Sequence, residues 1–208
     1  MKVAVLGATG RTGRLVVAEL LHRGHDVVAL VRDPVTAGMP EGVASVAGDV
    51  RDRAVLARVV AGADAVVSAL GPRKGDRTLH RDVAPLLVDV LREANVRRFV
   101  GISGAGLDAD GDRKSRRDRV ISGIIRRLPG DAVKDKVLEY GTWRDSDLDW
   151  TLVRPPRLAD GPPTGAVEHH ASTSPRGTRI RRADLAAFLV DEVEQPRYVG
   201  RAPLVANA

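Results

Sequence analysis

The sequence predicts an open α/β fold, a parallel sheet covered by helices on both faces, on three observations. Short apolar runs alternate with helical segments, a glycine-rich turn joins the first run to the first helix, and 208 residues suit one sizeable core.

The runs read as buried strands at 2–6, 27–31, 43–47, 65–68, 98–102 and 150–153, each bounded by turn residues. Between them, apolar residues return every three or four positions at 12–23, 54–60, 79–94, 133–145 and 183–194, the spacing of amphipathic helices. Parallel strands need right-handed crossovers, so helices must cover both faces of a doubly wound sheet. The first helix is expected to stop at Arg23-Gly24-His25, a basic last turn before a glycine able to take the left-handed cap conformation. Asp184 fits the start of the last helix, and Pro203-Leu204-Val205 suggests a short final strand. With no internal repeat or low-complexity linker, residues 1–208 read as one domain.

Composition narrows the function classes. Hydrophobic residues at 43% and charged residues at 29% mark a globular chain, and the absence of cysteine excludes disulfides, thiolate metal sites and cysteine catalysis. No run approaches the roughly 20 apolar residues of a membrane span, and the N-terminus meets Gly7 before a signal-length apolar stretch, so a cytoplasmic protein is expected. The charge of +6 raises nucleic-acid binding, with Arg113-Lys114-Ser115-Arg116-Arg117-Asp118-Arg119 and Arg126-Arg127 as its source. Aromatics make up 3% of the chain and none interleaves that stretch, which favours a solvated basic segment near an anionic cofactor over a nucleic-acid surface. The same stretch lies within 104–130, rich in Asp, Arg and Gly, which breaks the strand–helix rhythm. It reads either as a lid over the site or as a plain surface excursion. His169-His170 reads as a surface pair and no metal site is expected, because adjacent strand residues point to opposite faces and no partner group has ligand spacing.

The glycine turn is the most informative motif. Gly7-Ala8-Thr9-Gly10-Arg11-Thr12-Gly13 leaves the first strand and opens the first helix. Gly7 permits the sharp turn, Gly10 keeps side chains away from a pyrophosphate, and Gly13 lets the helix pack closely on the strand. The helix N-terminus then faces the phosphates. Folds that bind the unphosphorylated dinucleotide place an acid at the end of the second strand, where this chain has Val31-Arg32-Asp33. Arg32, with Arg11 nearby, can fork onto a 2′-phosphate and favours NADP(H), while Asp33 leaves the choice open. Gly48-Asp49-Val50 and Ser68-Ala69-Leu70-Gly71 end the third and fourth strands and would flank adenine and the inner ribose.

These motifs, with Leu148-Asp149-Trp150-Thr151-Leu152-Val153-Arg154-Pro155-Pro156, resemble the atypical short-chain dehydrogenase/reductase family of Rossmann-type NAD(P)H-binding proteins over nearly the whole chain. Gly-Ala-Thr-Gly-x-Thr-Gly, Val-Arg-Asp, Gly-Asp-Val and the Pro-Pro pair followed by Pro163-Thr164-Gly165 are most similar to its flavin reductase/biliverdin-IXβ reductase branch. The resemblance implies a monomeric NADPH-dependent reductase with the nicotinamide near Ser103 and Arg154-Pro155-Pro156. Cofactor contacts are then expected from Gly7, Thr9, Gly10, Arg11, Thr12, Gly13, Arg32, Asp49, Val50, Ala69, Leu70, Gly71, Ser103, Arg154 and Pro155.

The departures set the chemistry. Lys136 falls where the family has its catalytic lysine, but Ala132 stands where the proton-donating tyrosine would be, and Gly104 replaces the usual hydroxyl, leaving Ser103 beside it. Ser103 is expected to bond the nicotinamide amide or substrate, Lys136 to contact a ribose or anion, and Tyr140 to wall the pocket. Arg157 stands where the biliverdin-reducing branch has histidine and would attract an anionic substrate. A flavin or quinone can take a hydride ring to ring and a proton from water, so a planar acceptor suits this set. The alternative is a non-catalytic NADP(H)-sensing regulator of the NmrA-like type, with a protein partner.

Overall fold

The computed structural model describes residues 1–71, 76, 78–115, 123 and 131–208. Six parallel strands form the central sheet: β1 (Lys2–Leu6), β2 (Asp26–Val31), β3 (Ala44–Ala47), β4 (Ala65–Ser68), β5 (Arg98–Ile102) and β6 (Asp149–Val153). Their order is β3-β2-β1-β4-β5-β6, so the winding reverses between β1 and β4 and opens a crevice at their carboxyl ends. Register is continuous across that point, with Val3 opposite both Val27 and Ala65.

Six helices are seen among the described residues: α1 (Arg11–His22), α2 (Pro34–Ala37), α3 (Arg53–Val60), α4 (Leu79–Glu93), α5 (Asp131–Arg144) and α6 (Arg182–Glu194). Strand alternation assigns them to faces. Ala4 and Leu6 of β1 join a core with Leu56 of α3, Leu87 of α4 and Trp143 of α5, whereas Val3 and Val5 join another with Val17 of α1 and Leu189 of α6. In the first core Trp143 stacks on Phe99 with ring centroids 3.7 Å apart. The doubly wound sheet is therefore the one the apolar runs predict, with element ends moved by one or two residues. Capping explains one such shift: the Asp52 carboxylate accepts from the amides of Ala54 and Val55, starting α3 at Arg53.

The expected stop of α1 is present. Gly24 has φ +78° and its N–H reaches the Leu21 carbonyl, while Arg23 reaches across to Asp191 and Glu194 on α6. Asp184 is not a cap but the third residue of α6, a buried carboxylate that accepts from the Thr164 and Gly165 amides and from Asn207. The final strand β10 (Leu204–Asn207) forms as expected and pairs antiparallel with β8 (Val167–His170). β8, and β7 (Arg157–Ala159) paired with β9 (Arg179–Arg181), are three- and four-residue strands, too short to show a period in the sequence.

His169 and His170 differ from the expected surface pair. His170 is exposed, but the His169 ring is half-buried between Phe188 and Tyr198, its Nδ1 2.7 Å from the Tyr198 hydroxyl. Pairing of β8 with β10 turns this side chain onto α6.

Candidate functional site

At the crevice the first turn is built around its glycines. Gly7 has φ +76°, and a Cβ there would come within 2.8 Å of the Ala69 main chain. A Cβ on Gly13 would overlap the Gly7 carbonyl oxygen, so this residue sets how closely α1 sits on β1. Gly10 is the N-cap of α1 and no side chain caps that end, which leaves its amides for an anion. A Gly-lined, uncapped helix end fits a dinucleotide pyrophosphate.

The cleft above this turn has a volume of about 220 Å³. Gly7, Thr9 and Gly10 line it with Arg32 from the end of β2, Asp49 and Val50 from the turn after β3, and Ala69, Leu70 and Gly71 after β4. Nine expected cofactor residues from four segments thus meet in one place. Thr12 and Gly13 lie buried beneath the turn and shape it, and exposed Arg11 points to Asp160 at 3.4 Å.

Arg32 is exposed, while the neighbouring acid is committed elsewhere: Asp33 caps α2, accepting from the Val35 amide at 3.0 Å and the Thr36 hydroxyl at 2.8 Å. Those hydrogen bonds hold its carboxyl below the usual range. Arg51 also lines the cleft and was not singled out by sequence reasoning, although it directly follows Gly48-Asp49-Val50. Its guanidinium forks onto Asp76 at 3.0 and 2.9 Å and reaches Asp82 at 3.3 Å.

A second cavity of about 410 Å³ lies at the ends of β5 and β6. Gly104, Ala105 and Gly106 form one side, Pro155, Pro156 and exposed Arg157 another, and Pro175, Thr178 and Leu204 complete it. Ser103 is buried just before this lining; its amide donates to the Val153 carbonyl at 2.7 Å and its Oγ has no protein partner.

Three side chains expected at the site make contacts within the fold, and of these Arg154 alone also lines the second cavity. Arg154, expected beside the nicotinamide, is fully buried, donating to the carbonyls of Ala202 (2.6 Å) and Leu107 (2.9 Å) and to both oxygens of Asp112. Its guanidinium braces the cavity from within because five donors in a dry site must be satisfied there. Tyr140, expected as a pocket wall, packs in the core edge-on to Trp150, its hydroxyl accepting from the Asp110 amide. It lines neither cavity. The Nζ of Lys136 lies 2.9 Å from Glu139 Oε2, 3.0 Å from the Ile102 carbonyl and 3.0 Å from His80 Nδ1. Three protein groups thus surround the ammonium, which lines neither cavity.

The basic stretch also departs from expectation. Lys114 is buried, and its ammonium donates to the Ala105 and Leu107 carbonyls and to Asp108. This lysine closes residues 104–115 on themselves, and the Arg154–Asp112 pair ties them to the fold. The rest of the expected lid, including Arg116, Arg117, Arg119, Arg126, Arg127 and all of the apolar patch except Gly123, lies outside the described residues. No described helix is long and apolar enough to cross a membrane.

Residues 7–196 match the family of NAD(P)H-binding proteins, and the chain belongs to it. Protein YwnB of Bacillus subtilis is 29% identical over 205 residues, spanning 95% of this chain and 94% of that one. The isoflavone reductase homolog IRL of Zea mays is 40% identical over 121 residues, which cover 52% of this chain but only 37% of the maize protein. A crystal structure of a Lactobacillus casei protein superposes over 100% of both chains with a TM-score of 0.81 at 30% identity.

Proposed function

We propose that this chain is an NADPH-dependent reductase that delivers hydride to a planar acceptor such as a flavin or quinone. The observation that carries the reading is the adjacency of two recesses at the carboxyl edge of one sheet. The glycine-turn cleft spans β1, β2, β3 and β4, and the cavity opens at the ends of β5 and β6. A dinucleotide in the cleft would supply the hydride.

The chain's own groups do the rest. Gly10 and the uncapped end of α1 hold the pyrophosphate. Arg32 supports the choice of NADPH over NADH: it lines the cleft, and Asp33, the acid that would oppose a 2′-phosphate, caps α2 instead. Glycine backbone facing a Pro155-Pro156 wall makes a slot for a flat ring, and Arg157 offers charge to an anionic acceptor. The Ser103 hydroxyl, buried beside this lining with no protein partner, is the group read as bonding a nicotinamide amide or the acceptor. With Ala132 and Gly104 at the two family positions, the proton is left to water.

The test is oxidation of NADPH, followed at its absorbance, with FMN, riboflavin, menadione and a redox dye as acceptors. Turnover of at least one above the rate without protein is expected, and none at all would sink the proposal. One observation favours a second reading, the NADP(H)-sensing regulator: Lys136 is engaged by Glu139 and the Ile102 carbonyl and lines neither recess. That reading predicts tight nucleotide binding without turnover and a protein partner whose affinity follows the NADP⁺/NADPH ratio.

A further inference from the structure

A buried charged cluster sits under the end of β5, where the site described above has no acid–base residue. It joins three elements: His80 from α4, Lys136 and Glu139 from α5, and the Ile102 carbonyl of β5, one residue before Ser103. Asp135 fixes the first turn of α4 from the other helix, accepting from the His80 amide at 3.2 Å and the Arg81 amide at 2.8 Å. His80 Nδ1 lies 3.0 Å from the Lys136 ammonium and 3.3 Å from Glu139 Oε1, and its Nε2 is buried with no protein partner. Burying an ion pair is seldom the most stable way to fill a core, so the position of this one calls for another explanation.

The members are not equally enclosed. The Lys136 side chain is 19% exposed, against 8% for Glu139 and 4% for His80. The cationic end of the cluster is therefore its outlet, and it lies 3.0 Å from the last carbonyl of β5. Strand order says what passes there. Arg32 and Asp49 mark one end of the cleft at β2 and β3, Gly7 and Gly10 its middle at β1, and Ala69–Gly71 its continuation after β4. A dinucleotide lying along that line brings its nicotinamide to β5, between Gly71 and the Gly104 side of the second cavity.

We propose that Lys136, held by His80 and Glu139 as positioning residues, makes the site discriminate the redox state of its dinucleotide, favouring the neutral ring of NADPH over the cationic ring of NADP⁺. The inference rests on reading the cleft as an NADP(H) site, and holds whether the chain turns over an acceptor or senses the nucleotide. Among the described residues, the titratable groups facing the ammonium are His80 from α4 and Asp135 and Glu139 from its own helix; β5 contributes the Ile102 carbonyl. Burial pulls the Lys136 pKa below its ordinary value, and Glu139 and Asp135 pull it back up. Burial alone would raise Glu139, but the Lys136 charge and the His80 hydrogen bond outweigh it and leave it lowered.

The experiment is binding, not turnover: NADPH by its fluorescence and NADP⁺ by competition, from about pH 7 to about pH 10. The preference for NADPH over NADP⁺ at neutral pH should exceed that of Lys136→Met by about threefold or more, the effect of removing one charge several ångström away. That preference should shrink as rising pH neutralises Lys136. In Glu139→Gln the loss should come at lower pH, because the carboxylate that keeps the proton on Lys136 is gone. Lys136→Arg should keep the preference across the whole range. Lys136→Met should lower it and remove its pH dependence. Thermal melts establish which variants are folded, and the arginine variant alone decides the matter if the others are not. The same preference in Lys136→Met as in the unaltered protein, or the same pH dependence in Lys136→Arg or Lys136→Met, would overturn the inference while leaving the cofactor assignment intact. Failure of either nucleotide to bind would overturn both.

Discussion

The guanidinium of Arg154 grips the carboxylate of Asp112 through two hydrogen bonds, 2.6 Å from Nη1 and 2.7 Å from Nη2. The pair joins the end of β6 to the loop that forms one side of the second cavity. Removing one partner leaves the other charge buried and unpaired, which costs about 3–5 kcal/mol. Asp112→Ala should therefore lower the unfolding free energy in urea by roughly that much, and weaken acceptor binding as the loop loosens. A change below about 1 kcal/mol would mean that water reaches Arg154 and satisfies it.

Two glycines of the first turn should separate folding from binding. An added Cβ on Gly13 overlaps the Gly7 carbonyl oxygen, whereas on Gly10 its nearest neighbour is that oxygen at 3.2 Å and it otherwise meets open space at the cleft. Gly13→Ala should lower both thermal stability and NADPH affinity, since α1 must move off β1. Gly10→Ala should change the melting temperature little and weaken NADPH by about tenfold or more, because the methyl stands where the phosphate approaches. Equal melting temperatures for the two variants would contradict this division.

Residues whose role depends on backbone geometry were the most legible in the sequence. Gly7, Gly10 and Gly13 could be assigned from their spacing after a strand, because the constraint lies within seven residues. Charged side chains were not legible in the same way. Arg154 and Lys136 occupy the expected places in the chain, yet each is held by partners brought from afar, Asp112 in one case and His80 in the other. Lys114 reads as part of a solvated basic run, because nothing local shows that three acceptors close around it. Tyr140 is drawn into the core by Trp150, a contact between helix and strand that no helical spacing reveals. Conversely, the ambiguity at Asp33 is resolved by a local feature, the Pro34-Val35-Thr36 turn it caps.

Arg32 carries the choice of cofactor, and its substitution should show as a difference between nucleotides. With Asp33 engaged by the Val35 amide and the Thr36 hydroxyl, Arg32→Ala should weaken NADPH by about tenfold or more, the scale of a charge-assisted hydrogen bond to phosphate. NADH affinity should stay within about twofold of the unaltered protein, as an uncharged ribose gains nothing from the guanidinium. Equal losses in parallel fluorescence titrations would assign Arg32 to the fold rather than to the 2′-phosphate.

Asp184 links three separated segments, and its protonation should loosen all of them. Its carboxylate accepts from the Thr164 amide at 2.9 Å, the Gly165 amide at 3.0 Å, the Thr164 hydroxyl at 2.9 Å and the Asn207 side chain at 2.7 Å. Burial alone would raise its pKa, but these donors outweigh burial and hold it below the ordinary carboxylate value. A pKa depressed in the folded state means that the unfolded chain takes up the proton first. The stabilisation is then complete above about pH 4, the unfolded value, and is lost as pH falls through the lower folded value. Asp184→Asn keeps the shape but replaces one acceptor oxygen by a donor, and should cost about 1–3 kcal/mol near pH 7. Urea unfolding of both proteins at neutral pH and near pH 3 gives the comparison, and the gap should narrow at the acid end because protonation of Asp184 in the unfolded chain takes away part of the unaltered protein's advantage. A gap that stays constant down to pH 3 would mean that the Asp184 pKa is not depressed enough to matter, or that shape rather than charge holds Thr164 and Asn207 in place.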